Sequence, residues 1–76
     1  MIDPRNMALN DWADSMTFVL EQYGSVPRLD GLEWQPWATA VLRLSVPNRD
    51  QAPDPYGFQD WREWGSRFQM FLGINS

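Results

Sequence analysis

The stretch "DPYGFQDWREWGSRFQMFL", residues 54–72, decides how this chain is read. It holds two Trp, three Phe and one Tyr, interleaved with charges. Phe58, Trp61, Gly65, Phe68 and Leu72 fall on one stripe at helical spacing, and Trp64, Phe71 and Tyr56 widen it. Asp60 stands where an N-cap belongs, with Glu63 three residues on, close to a capping box. Gly73 follows the last apolar residue as a left-handed stop. The spacing predicts a helix from about Phe58 or Asp60 to Leu72. Its apolar face is broader than one helix-on-helix contact needs. Part of it is therefore expected to meet a second partner, in this chain or another.

The same pattern recurs upstream. "WADSMTFVL" begins at Trp12, "WATAVLRL" at Trp37 and "WGSRFQMFL" at Trp64. Each Trp is followed by a small residue (Ala13, Ala38, Gly65), which lets a neighbouring helix approach. Large apolar residues follow at i+4 (Met16, Val41, Phe68) and at i+7 (Val19, Leu44, Phe71). Each segment so reads as a short amphipathic helix with its Trp in the core. The first helix starts at "DWAD" (Asp11–Asp14), at Asn6 or at Asp3–Pro4, and ends near Tyr23 with Gly24 as its left-handed stop. "SVPRLDG" is a loop. The second helix runs from Glu33 or Pro36 to Ser45, with Pro36 confined to its first turn. "AVLRLSV" alternates in part, and a strand is the alternative there. "VPNRDQAPDPYG", residues 46–57, carries three Pro and reads as an extended connector. The expected fold class is all-α: a single small helical domain, residues 1–76, in a three-helix arrangement with a Pro-rich extended connector before the last helix.

Trp34 and Trp61 lie three residues before Trp37 and Trp64, at the edge of each face. Together with Tyr56 and Phe58 they are the expected partner-interface residues. On this reading Trp61→Ala removes partner contacts and spares helix content.

Composition narrows the chemistry. A chain of 76 residues allows one domain, and a domain this small usually needs a staple or a partner. It has no Cys and no His, so disulfides, thiolate sites and the commonest metal ligand are absent. It also has no Lys; its six basic residues are Arg, spread along the chain, and the net charge is -4. No basic patch for nucleic acid appears. Arg in place of Lys is a mild interface signal, with genome-wide compositional bias as the alternative. Without His, Cys or Lys the commonest catalytic bases and nucleophiles are missing. A carboxylate pair needs a cleft that so short a chain does not offer. "NRDQAPD" lacks the acid ladder of a calcium loop, and there is no Gly-rich phosphate loop. Arg62, Glu63 and Arg67 read as a solvated ion-pair face. The expectation is no enzyme: no catalytic residue, no cofactor, no metal and no small-molecule substrate. No apolar run is long enough for a membrane span, and "MIDPRNMALND" lacks the features of a secretory signal. Intracellular synthesis and a soluble product are expected.

"PDPYGFQDWREWGSRF" (Pro53–Phe68) resembles a phrase of the form D-P-Y-x-F-x-D-W-x-E-W-A-x-R, found in short proteins of the structural gene modules of tailed bacteriophages. Trp12-Ala13, the turn Tyr23–Leu29 and the segment Trp34–Ala38 resemble companion phrases of the same proteins, so the likeness touches most of the chain. Gly65 departs from the usual Ala, at about 1 kcal/mol of helix propensity. The resemblance implies a small virion-associated protein of head, neck or tail. Its partners would be other virion proteins or further copies of itself. The alternative is a small acidic phage-encoded adaptor or inhibitor that binds a host protein.

Overall fold

The computed structural model describes residues 2–31, 33–46 and 48–73. Among them the chain forms three α-helices and no strand: α1 (Leu9–Leu20), α2 (Trp34–Ser45) and α3 (Trp61–Leu72). The connector between α2 and α3 carries two short 3-10 turns, Arg49–Gln51 and Pro55–Gly57. The run "AVLRLSV" belongs to α2, whose last residue is Ser45, and only Val46 is extended. Pro47 of the connector lies outside the described residues.

The ends of α2 and α3 follow the expected chemistry. Pro36 sits in the first turn of α2, where its missing N–H has no carbonyl to serve. The Asp60 carboxylate caps α3 by accepting from the Arg62 N–H at 3.0 Å. Gly73 ends α3 at φ 77°, its N–H donating to the Met70 carbonyl at 3.1 Å. The first helix starts between the expected alternatives and ends earlier than the sequence predicts. Asp3 folds the start into a turn, accepting from the Arg5 N–H on its side chain and from the Asn6 N–H on its carbonyl. Helix therefore begins only at Leu9, with Ala8 at the N-cap and Asp11 in the first turn rather than capping it. At the far end α1 stops at Leu20, and Gly24 is not left-handed. Gly24 instead passes close to α2: a Cβ there would lie 2.9 Å from the Leu44 carbonyl oxygen.

Packing rotates each buried face from the expected stripe. The buried residues are Trp12, Ala13, Met16 and Leu20 in α1, and Trp37, Ala38, Val41, Leu42 and Ser45 in α2. In α3 they are Trp61, Trp64, Gly65, Phe68 and Gln69. The i+7 residues expected to be core are not: Val19 and Phe71 are half-buried, and Leu44 is exposed. With about 100° per residue, the face turns by roughly 60° from each Trp toward the small residue after it. That is where the neighbouring helix comes closest.

Trp12, Trp37 and Trp64 form the centre, as their spacing predicts, each no more than 1% exposed. The Trp12 ring meets Trp37 at 5.9 Å and Trp64 at 6.0 Å, both edge to face, and Trp61 at 5.3 Å. Trp64 in turn stacks on Phe68 at 4.7 Å. Each of the three indole N–H groups finds a buried or loop acceptor. Trp12 donates to Gln69 Oε1 at 2.8 Å, Trp37 to the Pro27 carbonyl at 2.9 Å and Trp64 to the Pro53 carbonyl at 2.9 Å. The last two bonds tie both interhelical loops to the core. Gln69 completes its own set by donating from Nε2 to the Ile2 carbonyl at 3.0 Å, which fixes the N-terminal segment. Ser45 does the same for the first loop, donating from its hydroxyl to the Ser25 carbonyl.

Gly65 explains itself here. A Cβ at Gly65 would stand 2.9 Å from Trp12 Cζ2, inside van der Waals contact with a fully buried ring that has nowhere to move. Gly65→Ala gains about 1 kcal/mol of helix propensity. It should nonetheless lower stability by about 1–3 kcal/mol through overpacking. Urea unfolding followed by circular dichroism measures the sign, and a more stable Ala variant would show that Trp12 relaxes freely.

Candidate interaction surface

The connector reaches the core through polar contacts as well as apolar ones. Pro55 is buried, and Gln35 Nε2 on α2 donates to the Phe58 carbonyl at 3.0 Å and, more weakly, to the Pro55 carbonyl at 3.4 Å. Between these anchors the turn Pro55–Gly57 is closed by Asp54, whose Oδ1 accepts from the Tyr56 N–H at 3.0 Å. The Gly57 N–H adds a 3.0 Å bond to the Asp54 carbonyl. The turn is thus rigid at its base while its tip faces water: Tyr56 is 60% exposed, and nothing lies within 4 Å of where a Gly57 side chain would begin.

A groove runs along each side of this ridge. Toward α2 it is lined by Thr39, Leu42, Ala52 and Tyr56, with Asp50 and Asp54 at its edge and Arg43 among them. Toward α3 it is lined by Gln51, Pro53, Phe58, Met70 and Phe71, with Arg67 at its edge. Each encloses about 380 Å³, near the lower end of the roughly 300–1,000 Å³ common for small-ligand sites. A third, more polar groove lies between α1 and the 26–31 loop, with Asp14, Glu21, Arg28 and Asp30 among its lining residues.

The four residues expected at an interface fall in different places. Tyr56 is at the surface, on the ridge. Phe58 is half-buried, packed against the core and lining the α3-side groove. Trp34 is half-buried too, its ring 5.9 Å from Trp64. Trp61 corrects the expectation: it is only 8% exposed and lies in the core against Trp12. Arg62 closes over it, with the guanidinium 4.7 Å from the ring centroid and 4.0 Å from Asp60. The reason is the rotation of the helix face. A residue three before Trp64 sits roughly 60° round the helix, at the middle of the rotated face rather than its edge. The breadth of the α3 face is likewise met largely within the chain, by α1 and the connector.

Other exposed apolar side chains escaped the sequence reading: Phe18 at 83%, Met70 at 73%, Leu44 at 58% and Tyr23 at 50%. Phe18 and Met70 stand at i+6 from Trp12 and Trp64, a position roughly 120° off the expected stripe, and that offset was the available signal. Tyr23 and Leu44 come together with Val46 at the end of α2.

Among the described residues no helix is long and apolar enough to cross a membrane, and no three acids converge as a metal site. Comparison with protein-family models, curated proteins and solved structures gave no match.

The two aromatic positions predict opposite mutational behaviour. Trp61→Ala empties a core position and should cost about 3–5 kcal/mol, enough to melt a domain of this size. Tyr56→Ala should stay within about 0.5 kcal/mol of the parent. Thermal denaturation of both variants checks this, and equal stabilities would remove Trp61 from the core.

Proposed function

We propose that this chain is a virion-associated structural or assembly protein of a tailed bacteriophage, acting through protein–protein contacts and not through catalysis. The observation that carries the contact role is the exposure of large apolar side chains around a core that is already complete. Phe18, Tyr23, Leu44, Tyr56 and Met70 are each at least half exposed, although a chain of 76 residues can bury little surface to offset the entropy of folding. Exposed apolar side chains mark binding sites where they adjoin, as Tyr23 and Leu44 do at the end of α2 and as Met70 does beside Phe58 and Phe71. The bacteriophage context comes from the phrase Pro53–Phe68 and its upstream companions. Two of that phrase's residues, Tyr56 and Phe58, sit on the ridge and in its groove, where they are available to a partner.

The chain is acidic, with a net charge of -4, which favours partners with basic or apolar surfaces over nucleic acid. Site within the particle is read from copy number: rings at the neck, tubes in the tail and lattices on the head each impose a symmetry.

Quantitative mass spectrometry of purified particles tests the proposal. The expected result is this chain in fixed ratio to the other particle proteins, retained through repeated purification. Recovery only from the lysate, bound to a host protein and absent from particles, would replace it with the adaptor reading.

A further inference from the structure

Two faces of the connector ridge differ in charge. On the α2 side Asp50 and Asp54 flank Tyr56, and the cation on that side, Arg43, is already engaged within the chain. On the α3 side the groove has an apolar floor of Pro53, Phe58, Met70 and Phe71, and the charge at its edge is Arg67. Arg62, one turn back, is taken up by Asp60 and Trp61, whereas Arg67 makes no ion pair among the described residues. The groove therefore presents a free guanidinium beside apolar walls, in a chain whose net charge is negative.

We infer that the α3-side groove receives the Asp54–Gly57 turn of a second copy of this chain, with Tyr56 on the apolar floor and Asp54 facing Arg67. This deepens the assembly role and rests on it. Charge complementarity selects this occupant. Two copies at -4 each repel, so a stable contact must bring a free cation onto an acid, and Arg67 and Asp54 supply that pair. One oxygen of Asp54 is held by the Tyr56 N–H, which leaves the other to accept from the guanidinium. The turn is also fixed in advance by its cap, by buried Pro55 and by Gln35, so little ordering is lost on docking. Pro53 and Phe58 of the groove flank the turn itself, so the same contact can be exchanged reciprocally between two copies, closing a two-fold dimer, or be repeated head to tail into a ring or filament.

The contact is small and is expected to be weak in free solution and strengthened by repetition in an assembly. Sedimentation velocity on the full chain, at concentrations up to about 1 mM and low salt, is the first reading. Concentration-dependent association, to a reciprocal dimer or beyond it, is expected for the parent. Arg67→Glu blocks the groove and Tyr56→Ala removes the knob; both residues are exposed, so both variants should keep the parent's circular dichroism and melting temperature. Each alone should weaken association by about tenfold or more. Mixed in equal amounts they should form a one-to-one dimer and nothing larger, because only the Tyr56 of the first and the groove of the second remain intact. A monomeric parent overturns the inference, as does parent-like association of both variants. So does a mixture that stays monomeric or grows beyond the dimer. The particle assay uses a different sample, so a chain found in particles yet monomeric in solution sinks this contact and leaves the assembly role standing.

Discussion

Everything in this fold is arranged around the indole of Trp12. Its ring is bounded by three other indoles, and its remaining side is closed by the backbone of Gly65. Its N–H is satisfied by Gln69, a side chain that is itself 2% exposed and that spends its other end on the Ile2 carbonyl. One residue of α1 thus sets both the distance and the register of α3, and the same bond chain holds the N-terminal segment. In a chain with no Cys and no His, this polar link does part of the work that a disulfide or metal does in other small domains. Such a link is specific because it is fully satisfied; a buried pair with one partner missing would cost more than an apolar replacement.

The small residue after each core Trp was legible in the sequence, and so were the cap at Asp60, the stop at Gly73 and the extent of α2. These depend on local chemistry, which spacing reveals. The direction of each buried face was not legible, because it depends on which side the neighbour approaches. Trp61 shows the cost of that ambiguity: at i−3 from Trp64 it lies at the edge of a face centred on Trp64 and in the middle of one centred toward Gly65. Gly24 illustrates the same limit: it is required by a contact far along the chain, at Leu44, and lacks the positive φ by which a glycine is usually recognised, whereas the close approach at Gly65 follows the small-residue pattern.

Of the candidate surface, the exposure of Tyr56 agrees with its place among turn residues ahead of α3, although helical spacing also put it at the margin of the apolar stripe. The remainder depended on the Pro-rich connector, which carries two 3-10 turns and is fastened to the core by the Trp64 N–H and by Gln35. Those long-range bonds have no signature in the spacing of residues 46–57. They convert a Pro-rich stretch into a rigid ridge with a groove on either side.

The aromatic richness of residues 54–72 therefore has two separate causes. Trp61, Trp64 and Phe68 are consumed by the interior, and their conversion to smaller residues would be felt as lost stability. Tyr56 and Met70 contribute little to that interior, and leaving them exposed costs hydration free energy that the isolated chain does not recover. The same division runs through α1 and α2, where Phe18 and Leu44 face outward beside a filled core. At i+6, where α1 has Phe18 and α3 has Met70, α2 has the exposed cation Arg43. Apolar residues at that position are thus not demanded by the helical pattern itself. Their presence on two helices out of three, beside a turn held rigid at its base and open at its tip, is therefore not explained by the packing of the core.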